Sequence, residues 1–189
     1  MLRIIPNVIR RREIDVRQLR WLDGKRATTR RNFPANRDYV DLRGLTSVHL
    51  DTVLEEEEKG YALLDAAGFT PVAVAEVDRL RRLSPVVPML DFGVASTVVG
   101  LSALGCVPVM SCRGRSLGTD PHMHPAPMAT FYARRLLVPT LLAAVMDADV
   151  NIVNSDGKLE VYSEDLRRMH AFGRVPRRFA GNGRTQPSN

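Results

Sequence analysis

Ser111, Cys112, His122 and His124 are the side chains whose types and spacing could do chemistry in this chain. Asp91, Asp120, Arg113, Gly114 and Arg115 stand around them. Three chemistries compete. In the first, Cys112 is a nucleophile whose thiolate is favoured by the neighbouring Arg113 and Arg115. His122 or His124 is then the base, and Asp120 or Asp91 orients it. The spacing is not that of a phosphatase loop, which needs an Arg six residues after the Cys; Gly118 stands there. In the second, His122, His124 and Cys112 form a three-ligand metal set with one position open. The spacing matches no finger pattern, and which metal or cofactor would bind is unknown from sequence. In the third, the run Arg113-Gly114-Arg115-Ser116-x-Gly118 offers backbone N–H groups and two guanidiniums to a phosphate or carboxylate. It lacks the Lys-Ser/Thr ending of a Walker loop. The plain alternative makes Cys112 a small core hydrophobe and lets the two histidines pin the loop. His49 and His170 fall within expected helices, as surface or packing residues.

A strand end opening into a loop is where α/β folds place ligands, and the surrounding pattern supplies such a frame. Residues 92–104 are nearly all apolar or small, as in a helix buried on most sides, with Asp91 as its N-cap and Gly105 as its end. Residues 106–112 read as a strand, irregular or at an edge because of Pro108, and residues 128–133 as another. Upstream, residues 47–67 read as a helix capped by Thr46 or Ser47. Its four-acid run Glu55 to Glu58 reads as a solvated face. Thr70-Pro71 starts a second helix, to about Leu83. Downstream come a helix over 134–148, a hairpin over 150–162 turning at Asp156-Gly157, and a last helix over 164–172 capped by Ser163. A further helix is expected over residues 13–22. No internal repeat is visible. The fold expected is mixed α/β (α+β): a small mixed sheet of about four strands covered by helices, with an N-terminal helical segment.

The run Gly105-Cys106-x-Pro108-x-x-Ser111-Cys112-x-Gly114, followed by a His-bearing loop and a strand, resembles bacterial α/β proteins with a helix–strand–S-C-x-G…H arrangement. That group has no established activity, so the resemblance, over residues 91–172, implies a fold and a site location. Ser111, Cys112, Gly114 and Arg115 are also similar to the Ser-Cys-x-Gly-Arg run of wybutosine-type tRNA methyltransferases. There a serine is expected where this chain has Met110.

Length and charge bound the partners. A chain of 189 residues suits one domain with an appendage. The net charge of +6 is uneven: +7 over residues 1–45, −5 over 46–111, zero over 112–163 and +4 over 164–189. The organisation expected is a basic, partly flexible segment over 1–43, a core domain over 44–173, and a basic disordered tail over 174–189. The two basic ends could meet nucleic acid or another polyanion by counterion release, or dock a protein partner. They equally reflect a preference for Arg, since Lys25, Lys59 and Lys158 are the only lysines. No aromatic-rich basic strand of the RNA-binding type is present. Cys106 and Cys112 share one short strand and cannot bridge while it stays extended. The start of the chain does not read as a signal peptide, and no stretch approaches the roughly 20 apolar residues of a membrane span. A cytoplasmic setting without a membrane partner is therefore expected. The expected activity is binding of, and action on, an anionic nucleotide or nucleic-acid ligand at the Cys112–His124 loop. The alternative is a non-catalytic accessory, immunity or interaction subunit of a larger complex.

Overall fold

The structure is a computed structural model and describes residues 9–22, 42, 44–117 and 124–174. Its elements are α1 (Ser47–Ala66), α2 (Pro71–Arg82), α3 (Ala95–Ala103), β1 (Val107–Cys112), β2 (Met128–Tyr132), α4 (Val138–Ala148), β3 (Asn151–Ser155), β4 (Lys158–Tyr162) and α5 (Leu166–Gly173). Short 3-10 turns at Val16–Gln18 and Arg135–Leu137 accompany them. The fold is α+β. The four strands form one sheet in the order β1-β2-β4-β3, each neighbouring pair antiparallel.

Strand alternation divides the sheet into two faces. Ala129, Phe131, Ile152, Leu159 and Val161 point toward the helices and join Val98, Leu101, Leu141, Val145, Leu166 and Met169 in the main core. α3 is the central helix: every residue from Ala95 to Ser102 is buried, with α1 and α5 packed against it. Small residues make this close crossing feasible. A Cβ on Gly173 would lie 2.6 Å from the carbonyl carbon of Ser96. Leu50, Val53 and Leu54 of α1 form a second cluster with Val87, Ala95 and Val99.

Several local signals act as read. Thr70 accepts the Ala73 N–H at 3.3 Å, with Pro71 in the first turn of α2. Asp156 and Gly157 turn the β3–β4 hairpin with φ of 48° and 78°. Other signals are overruled. Residues 13–22 form only the Val16–Gln18 turn, because the segment instead runs beside β3. There Arg12 makes a parallel bridge to Ile152, and Asn151 and Asn154 hold Arg11 and Asp15 through their backbones. The cap of α5 is Asp165, which accepts the Arg167 N–H at 2.8 Å; Ser163 accepts the Asp165 N–H just upstream. Residues 1–8, 23–41 and 43 of the basic N-terminal segment and the tail beyond Arg174 lie outside the described residues. Among the described residues, no helix is long and apolar enough to cross a membrane.

Candidate functional site

β1 delivers the sequence-predicted residues to opposite sides of the sheet. Ser111 pairs with Ala129, whose side chain faces the helices, whereas Cys112 pairs with Met128 on the outer face. Adjacent strand residues point in opposite directions, so Ser111 and Cys112 do not share a pocket. On the helix side, the Arg113 N–H donates to Asp91 Oδ2 at 3.3 Å, and the Arg113 guanidinium grips both carboxylate oxygens of Asp78 on α2. The Arg113 side chain is only 5% exposed. This corrects two sequence expectations. Asp91 is not the N-cap of α3, which begins four residues later, and Arg113 is a structural clamp rather than a free guanidinium for a ligand.

The loop that follows is held at its base. Gly114 takes a left-handed φ of +63°, and a Cβ there would lie 2.5 Å from the Ala126 carbonyl carbon. This close approach lets the Gly114 N–H donate to Cys112 Sγ at 3.3 Å and the Arg115 N–H donate to the Pro125 carbonyl at 3.2 Å. Arg115 and His124 therefore stand on the two limbs of one loop, with the Arg115 side chain exposed. His122 and Asp120, the other half of the predicted constellation, lie outside the described residues. Among the described residues, no group of three or more His, Cys, Asp or Glu side chains is placed to hold a metal ion.

The outer face adds residues that the sequence reading passed over. Thr130 stands directly opposite Glu160, and Met110 opposite Thr130, making one cross-strand row. Cys112, Met128 and Tyr162 form the next row. Residues opposite each other in this way have Cβ atoms about 5 Å apart. Thr130 is buried, and among the described residues its hydroxyl has no hydrogen-bond partner. Burial raises the pKa of Glu160, and the charge of nearby His124 opposes that rise. The outer face thus carries a carboxyl, an imidazole, a buried hydroxyl and a thiol. Cys106, by contrast, is a core thiol, pushed up to about 12 by burial.

A second polar constellation lies in the core, where sequence reasoning placed solvent. Glu57 is completely buried. Its Oε1 accepts the N–H groups of Gly93 at 2.8 Å and Ala95 at 3.0 Å, and its Oε2 accepts the Ser96 hydroxyl at 2.5 Å. His170 Nδ1 lies 2.8 Å from the same Oε2, while Arg174 Nη2 lies 3.1 Å from His170 Nε2. A guanidinium can only donate. His170 Nε2 is therefore the acceptor, and Nδ1–H donates to Glu57. A carboxylate from α1 thus serves as the missing cap of α3, where first-turn N–H groups favour negative charge, and ties in α5 as well.

Ser, His and Glu side by side suggest a hydrolytic triad, but the connections differ. Serine and glutamate meet the same imidazole nitrogen, and both Ser96 and Glu57 are fully buried. A triad needs serine and carboxylate on opposite ring nitrogens. This network is a keystone of the fold. Beside it, the hydroxyl of Tyr61 is held well above its ordinary range by burial and then by the charge of Glu57. A signal for Glu57 existed: it falls on the helical stripe of Leu50, Val53, Leu54, Tyr61 and Leu64, where a solvated acid does not belong. No family model, curated protein or solved structure matches this chain.

Proposed function

We propose that the protein binds an anionic ligand of the nucleotide or nucleic-acid class at the base of the β1–β2 loop. The observation that carries this reading is the Arg115 N–H to Pro125 carbonyl bond, which brings Arg115 and His124 onto facing limbs. With Arg113 committed to Asp78, Arg115 is the guanidinium left to meet a phosphate, and guanidiniums suit that task geometrically. Glu160 is a carboxyl near enough to His124 to feel its charge. Cys112, 8% exposed, lies beside this site as the candidate nucleophile should the ligand be transformed.

The test is anisotropy of a labelled single-stranded oligonucleotide across a salt series, with inorganic pyrophosphate as competitor. Arg115→Ala should weaken binding about tenfold at low salt and flatten the salt dependence by about one phosphate contact. Equal affinity of Arg115→Ala and the parent chain would remove the loop from the reading. A second reading, a non-catalytic interaction subunit, is favoured by the apolar exposure along α2 and after it: Val72 is 79% exposed and Leu83 is 67% exposed. Under that reading, Val72→Asp with Leu83→Asp abolishes co-purification of a stoichiometric partner, and Arg115→Ala does not.

A further inference from the structure

A cleft of about 190 Å³ opens between α1 and α2. Its walls are mostly apolar: Val77, Leu80 and Leu83 on one side, Gly60 and Phe92 on the other. At Gly60 the wall is bare backbone, since a Cβ there would lie 2.4 Å from the Phe92 ring. Engineered apolar cavities of about 150 Å³ take up benzene, so this volume suits one ring or a short alkyl chain.

The polar groups lining the cleft decide which ligand completes it. Both oxygens of Glu56 are engaged, Oε2 by Arg81 Nη1 at 2.7 Å and Oε1 by the Ser84 hydroxyl at 3.1 Å. The Glu57 carboxylate is saturated by four donors, at Gly93 just before α3, at Ala95 and Ser96 on α3, and at His170 on α5. Ser84 Oγ also accepts the Val86 N–H. Arg81 Nη2 donates to the Val87 carbonyl, and Arg81 Nε–H, enclosed in a side chain 4% exposed, has no partner among the described residues. Lys59 lines the same cleft with an exposed ammonium. Of the charged groups lining the cleft, Glu56, Glu57 and Arg81 are thus held by protein partners, which leaves the exposed Lys59 to face a ligand.

An apolar body with an acceptor-only, anionic head completes such a site. We infer that the α1–α2 cleft binds a small apolar monocarboxylate, one with a single aromatic ring or a chain of about six carbons. The body lies against Val77, Leu80 and Phe92, and the carboxylate meets Lys59 at the mouth. None of the residues lining the cleft belongs to the β1–β2 loop.

The experiment is a two-dimensional amide NMR titration of the full chain with phenylacetate and with hexanoate, using phenylacetamide as the uncharged control. Shifts should concentrate at Lys59, Gly60 and Leu80. Lys59→Gln should weaken phenylacetate about fivefold, the size expected of one exposed ion pair, and leave phenylacetamide unchanged. Leu80→Glu should lose both ligands with an unchanged melting temperature; Leu83→Glu, at a more exposed position, serves if Leu80→Glu does not fold. Absence of shifts with both carboxylates overturns the inference, as does equal binding of acid and amide that Lys59→Gln leaves untouched.

Discussion

Glu57→Ala is the substitution that most directly tests how this fold is held together. It removes the acceptor of three fixed N–H donors, at Gly93, Ala95 and His170, and of the Ser96 hydroxyl. The serine can rotate toward another partner; the other donors cannot. A buried donor left without a partner costs about 1–3 kcal/mol, so simple addition over three gives roughly 3–9 kcal/mol. Relaxation and water entry bring such sums toward the lower end of that range. The expectation is about 4 kcal/mol, which for a chain of this size lowers the melting temperature by about 8–16 °C. Glu57→Gln keeps an oxygen for Gly93 and Ala95 but presents an amide donor to His170 Nδ1–H; it should cost about 2 kcal/mol. The comparison that isolates burial is Glu55→Ala, in the same acidic run but exposed, which should change stability by less than about 0.5 kcal/mol. Urea unfolding followed by circular dichroism measures all three. Equal midpoints for Glu57→Ala and Glu55→Ala would refute the keystone assignment.

Three further outcomes are expected. Arg113→Ala strands the Asp78 carboxylate, four-fifths buried against it, and should cost about 3 kcal/mol in urea unfolding; a silent substitution would mean the pair is not a clamp. Burial raises the folded-state pKa of Glu160, so the folded state holds the extra proton and stability falls as pH climbs from the ordinary carboxyl range through the raised value. Glu160→Gln should therefore melt like the parent at low pH and above it near neutrality, and parallel melting curves at every pH would contradict this. Cys106, at about 12, has a thiolate fraction of about one in ten thousand at pH 8. Iodoacetamide followed by peptide mass mapping should leave it unlabelled until urea is added, and rapid labelling in the native protein would place it outside the core.

Much of the architecture was legible in the chain because it depends on near neighbours. Thr70-Pro71 starts α2 through a cap and a preset φ, both complete within one turn. Asp156-Gly157 turns the hairpin because these two residues accept positive φ. The unbroken small and apolar run of α3 marks it as the central helix, since no face of it could meet water. Cys106 belongs to the core on the same grounds.

What the tertiary structure alone decided are the pairings between distant residues. An apparent solvated acid became the cap of α3, because Glu57 lies on the buried stripe of α1 and meets Gly93, 36 residues away. Arg113 was withdrawn from the loop by Asp78, 35 residues upstream, and the expected helix over 13–22 gave way to backbone pairing with β3. Ser111 and Cys112 parted because register assigns faces, and register is set by the partner strand rather than by the motif. Local propensity is written in a few consecutive residues. The desolvation of a charge depends on which elements close over it, and that is known only when the chain has folded.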